Sequence, residues 1–83
     1  MQITEKVMNF LLLIHHKNFI TRDTQKMFDN LQFYMMTSYL KKNGLIKVNG
    51  ITKERQQIWV LTEKGKRICE KLEEIKKIME EVK

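Results

Sequence analysis

Residues 40–65 read LKKNGLIKVNGITKERQQIWVLTEKG, and their reading decides the fold. The stretch parses as the end of a helix, a stop, a basic two-stranded hairpin and the start of another helix. Lys41 and Lys42 place cations in a last helical turn, where the helix dipole favours them. Asn43-Gly44 then supplies residues that tolerate the left-handed conformation closing a helix. Leu45-Ile46 and Ile58-Trp59-Val60-Leu61 are apolar and rich in β-branched residues, as strands are. Thr62 is a natural N-cap, with Glu63 in the first turn beyond it.

Upstream, Ile3, Val7, Phe10, Leu11 and Ile14 recur at helical spacing and predict a first helix over about Gln2 to His16. Met8, Leu12 and Leu13 make its second half apolar nearly all round, so it is expected to be buried on more than one side. Phe19-Ile20 is read as a very short strand beside the hairpin. Thr21 as N-cap and Asp23 in the first turn predict a short second helix ending near Phe28. Asp29-Asn30 makes a turn and offers the cap of a third helix over about Leu31 to Asn43. Phe33, Met36, Thr37 and Leu40 share its inward stripe. Its opposite face carries Gln32, Tyr34, Met35, Ser38, Tyr39, Lys41 and Lys42, without a carboxylate. Downstream, Ile68, Leu72, Ile75, Met79 and Val82 recur at alternating steps of four and three. That rhythm predicts a fourth helix over about Glu63 to Val82 with a short coiled-coil-like seam.

The chain has 83 residues, enough for a single domain over 1–83 with a modest core. A lone cysteine excludes an intrachain disulfide and a multi-cysteine zinc site, which leaves self-association as the candidate staple. That cysteine usage fits a reducing cytoplasm. The longest apolar run, Phe10 to Ile14, falls far short of the roughly 20 residues of a membrane span, so no membrane role is expected. Net charge is +6 and unevenly spread. Residues 1–44 carry six basic and three acidic side chains, residues 45–61 three and one, and residues 62–83 seven and six. The acid-poor first two thirds point to a polyanionic partner.

Two motifs make the chain resemble the winged helix-turn-helix family of transcriptional regulators, especially MarR-like and PadR-like repressors. Leu40-Lys41-Lys42-Asn43-Gly44-Leu45-Ile46 is similar to a recognition helix running into the first wing strand. Trp59-Val60-Leu61-Thr62-Glu63-Lys64-Gly65-Lys66 is similar to the second wing strand entering the following helix. The resemblance implies a mainly α fold with a small β-hairpin wing (α+β). Its expected order is helix, short strand, helix, helix, two wing strands and a last helix. It also implies double-stranded DNA as partner, with the third helix in the major groove. The wing tip, between Gly50 and Arg55, is expected on the backbone or minor groove.

Carried to residues, Gln32, Tyr34, Met35 and Ser38 are the expected base readers, since the early part of a recognition helix reaches the bases. Tyr39, Lys41, Lys42, Lys53 and Arg55 are expected on the DNA backbone. The third helix has no arginine, which disfavours strong guanine readout and suggests an A·T-leaning site. A homodimer is expected through Ile3, Val7 and Phe10 of the first helix and Ile68, Leu72, Ile75, Met79 and Val82 of the last. His15 and His16 point in different directions on a helix and read as ordinary helix-end histidines. Cys69 reads as a buried, inert thiol.

No cofactor or metal is implied, and the sequence names no effector. Catalysis finds little support: there is no Gly-rich phosphate loop and no nucleophile beside a plausible base. Two other readings accommodate the same residues. One is a winged helix that contacts protein within a larger assembly, and the other is a sequence-neutral architectural DNA-binding protein.

Overall fold

Thr4 sets the start of the first helix. Its hydroxyl accepts a hydrogen bond from the Val7 amide at 3.2 Å, so α1 spans Glu5–Lys17 rather than beginning at Gln2. Asn18, at φ 72°, closes it in the left-handed conformation. The remaining elements in this computed structural model, which describes residues 2–81, are α2 (Asn30–Lys42), β1 (Ile46–Ile51), β2 (Gln57–Leu61) and α3 (Glu63–Glu81). Val82, expected in the dimer seam, lies outside the described residues.

The joint after α2 is a Schellman motif. The Leu45 amide donates to the Leu40 carbonyl and the Gly44 amide to the Lys41 carbonyl, each at 3.0 Å. Gly44 sits at φ 75°, the left-handed conformation the motif requires. The start of α3 is seated on this joint. The Thr62 hydroxyl accepts from the Gly65 amide at 3.1 Å and donates to the Gly44 carbonyl at 2.6 Å. The Thr62 amide meets the Leu45 carbonyl at 3.0 Å, and Lys64 reaches the Asn43 carbonyl at 3.3 Å. A Cβ on Gly65 would lie 2.2 Å from the Leu45 carbonyl oxygen, so glycine alone permits this approach.

The two strands pair antiparallel, with Ile46 opposite Leu61 and Val48 opposite Trp59 on the core face. One extra residue enters β1 between Val48 and Ile51, a bulge that Gly50 accommodates at φ 124°. Phe10 anchors the core, its ring tilted against Phe28 (5.4 Å) and edge-on to Phe33 (6.0 Å). Around it pack Leu11, Ile14, Ile20, Leu40, Leu45 and Ile46, all fully buried, with Trp59 also inside. Phe33, Thr37 and Leu40 face inward from α2 as the periodicity predicts, with Met36 partly buried.

The element order corrects the expectation at two places. Among the described residues there are three helices and two strands, not four and three. The expected second helix, from Thr21 to Phe28, is a pair of turns. The Thr21 amide donates to the Thr24 hydroxyl at 2.8 Å, and the Thr24 amide bonds back to Thr21. The buried Gln25 amide group does the rest. It donates to the Arg22 and Phe28 carbonyls at 3.1 and 2.9 Å and accepts from the Met27 and Phe28 amides at 3.0 and 2.9 Å. Side chains thus take the backbone partners that a helix would have used. The Phe19-Ile20 strand contracts to one bridge, in which Ile20 exchanges both backbone hydrogen bonds with Trp59 at 2.8 and 3.0 Å.

Candidate nucleic-acid interface

Asp29 caps α2, its carboxylate accepting from the Gln32 amide at 2.8 Å. That engages the one acid at the helix start, and α2 itself holds no Asp or Glu. The buried Thr37 hydroxyl is satisfied within the helix, donating toward the Phe33 and Tyr34 carbonyls at 3.0 and 3.1 Å. The predicted base readers Gln32, Tyr34, Met35 and Ser38 are all exposed along the outer face, with Lys41 and Lys42 exposed at its C-terminal end. Tyr39 is placed less simply. It is at the margin of exposure, and its hydroxyl accepts from the Gln2 amide at 3.2 Å, tying α2 to the segment before α1.

The wing tip is a three-residue loop, Lys53-Glu54-Arg55. The Arg55 amide donates to the Thr52 carbonyl at 3.0 Å and the Thr52 amide to the Gln56 carbonyl at 2.8 Å. Hairpin loops of this length use a turn followed by one left-handed residue, which is often glycine. Here Arg55 takes that position, at φ 64°. Lys53 and Arg55 are both exposed. The wing is also tied back to the turn before α2: the Asp23 backbone amide donates to the Gln56 side-chain oxygen at 3.2 Å, and the Gln56 side-chain Nε2 donates to the Asp23 carboxylate.

Between α2 and the wing lies a groove of about 700 Å³. Asn30 and Tyr34 line it from α2, Ile51, Arg55 and Gln57 from the hairpin, and Arg22 from the preceding turn. Glu54 is the one acidic residue in the lining, against two arginines. Arg22, Asn30 and Gln57 were not expected at the site from sequence. The capping signals of Thr21 and Asp23 read as a helix and hide Arg22, and Gln57 precedes the apolar run Ile58-Trp59-Val60-Leu61 that marks the second strand.

The expected dimer residues divide. Val7, Phe10 and Leu72 are inside the domain's own core and Ile68 is packed against it. Ile3, Ile75 and Met79 keep exposed apolar surface, joined by Ile78. Cys69 is fully buried, its thiol donating to the Leu11 carbonyl at 3.5 Å. Burial, reinforced by the Glu73 carboxylate, pushes its pKa up from 9.0 to about 11, so the thiol stays protonated near neutral pH. His16 pairs with Glu73 at 2.9 Å. Among the described residues, no three His, Cys, Asp or Glu side chains converge as a metal site would need. No helix among them is long and apolar enough to cross a membrane.

A family model described as winged helix-turn-helix matches residues 7–80. The chain belongs to the winged helix-turn-helix family. Its fold class is therefore that of a DNA-binding domain, with the β1–β2 hairpin as the wing. The matching description names neither the MarR-like nor the PadR-like branch. Searches of curated proteins and of solved structures returned no match.

Proposed function

We propose that this winged helix-turn-helix protein binds double-stranded DNA sequence-specifically as a homodimer and regulates transcription. In this reading α2 enters the major groove and the wing rests on the backbone or minor groove. The observation that carries the reading is the outer face of α2: exposed, free of carboxylates, and bordering a groove lined by Arg22 and Arg55. Gln32 and Ser38 offer hydrogen bonds to base edges, and Tyr34 and Met35 offer apolar contact. Lys41, Lys42, Lys53, Arg55 and the added Arg22 meet phosphates. Tyr39 serves as a tether to the segment before α1, its hydroxyl hydrogen still free to donate.

Pairing is supported by α3. Its buried residues are Gly65, Cys69 and Leu72, all in the first half. The second half leaves Ile75, Ile78 and Met79 in solvent. Residues 63–72 carry four basic and two acidic side chains, and residues 73–81 carry four acidic and two basic. Two copies of α3 laid antiparallel would match basic half to acidic half while covering the apolar stripe. Such a dimer offers one α2 to each of two half-sites, about 34 Å apart along B-DNA. Sedimentation equilibrium should show a dimer at micromolar concentration, and a monomer at high micromolar concentration would remove this part of the proposal.

The DNA reading is tested by duplex affinity measured across a salt series. Log affinity should fall linearly with log salt, with a slope of about 0.9 per phosphate contacted. Lys53→Ala with Arg55→Ala should reduce that slope by about two per protomer. Duplex binding without salt dependence, or no binding at low salt, would contradict it.

A further inference from the structure

Leu31, Tyr34 and Met35 are 69%, 69% and 61% exposed, an unusual amount of apolar and aromatic surface for the working face of a recognition helix. Their spacing of three and four residues puts them together on one side of α2, in its first two turns. The domain's own core is complete without them. From Asn30 to Leu40 the helix bears no charged side chain at all. Cations stand around the patch instead of in it: Arg22 and Arg55 share the groove with Tyr34, and Lys41 and Lys42 follow in the last turn.

That arrangement limits what the patch can recognise. In the major groove guanine presents two acceptors, best met by Arg or Lys, and cytosine presents an amine, best met by a carboxylate. The first ten residues of α2 offer neither. The feature an apolar side chain reads there is a methyl group at C5 of a pyrimidine. The flanking cations, which outnumber Glu54 in the shared groove, match a polyanion, which an apolar protein partner would not require. We infer that Leu31, Tyr34 and Met35 form a methyl reader, selecting duplexes whose pyrimidines carry a C5 methyl: thymine, and by the same chemistry 5-methylcytosine. The inference rests on α2 occupying the major groove, as proposed above. It adds Leu31 to the reading face and turns an A·T preference into a preference for one chemical group.

The test uses the full chain and two alternating duplex copolymers of equal length, d(AT) and d(AU), which differ in the thymine methyl. Each buried methyl strengthens binding about fourfold, so d(AT) should bind at least about fourfold more tightly. Methylating cytosine C5 in a d(GC) duplex should likewise raise affinity. In Leu31→Ala/Met35→Ala, both at exposed positions and checked for retained helicity, the d(AT)/d(AU) ratio should fall to about one. Equal, salt-dependent binding of both copolymers by the unaltered chain would overturn methyl reading while leaving DNA binding intact. A ratio unchanged in the double variant would also overturn it, by assigning the preference to duplex stiffness. Failure to bind any duplex would remove the DNA reading itself. A double variant altered only in self-association would reassign the patch to protein contact.

Discussion

Gly44 and Gly65 lie twenty-one residues apart in the chain yet serve the same joint for different reasons. Gly44 has open space where a Cβ would stand, so its requirement is the backbone angle alone. Gly65 has no unusual angle, but a Cβ would collide with the Leu45 carbonyl and crowd Leu61. Gly44→Ala should therefore destabilise the domain by about 1 kcal/mol, the cost of a left-handed non-glycine residue. Gly65→Ala should cost about 3 kcal/mol or more, because α3 must move off the α2–β1 joint and break the Thr62 bonds. Urea melts of the two variants check the order, and equal losses would contradict the distinction. Cys69 belongs at this scale too. Its burial beside Leu11 leaves it as core packing, not as a reactive thiol.

At the scale of elements, the joints were legible and the turn before α2 was not. Lys41-Lys42-Asn43-Gly44 and Leu61-Thr62-Glu63 encode helix ends through local chemistry, which needs no tertiary knowledge, and both appear where expected. The residues 21–28 carry equally good helix-start signals in Thr21 and Asp23. There the decisive partner is Gln25, whose side chain satisfies four backbone groups and is buried only because the rest of the core surrounds it. No local rule announces that substitution. The site divides the same way. The acid-free face of α2 follows from periodicity, whereas Arg22 and Gln57 join the groove only through the turn and the strand register. Gln25→Ala should strip those four bonds and cost about 2 kcal/mol. Hydrogen exchange should show the Met27 and Phe28 amides losing protection well before those of α1. Unchanged protection at both amides would show that the Gln25 side chain does not hold this turn.

For the molecule as a whole, two surfaces remain after the core is counted. One is the groove between α2 and the wing, held in shape by the Asp23–Gln56 clasp and the Ile20–Trp59 bridge. The other is the second half of α3, where Ile75, Ile78 and Met79 are exposed among mostly acidic charges. The core is closed by α1, the inner stripe of α2, the hairpin and the first half of α3, and both of these surfaces lie outside it. We propose that DNA occupies the first and a second copy of the chain the other. The measurement that tests this division most directly is an amide NMR titration of the full chain with a short A·T-containing duplex. Shifts should concentrate at residues 22–26, along the outer face of α2 and at residues 50–57, with 73–81 unaffected. Shifts concentrated on α3, with α2 unmoved, would contradict it.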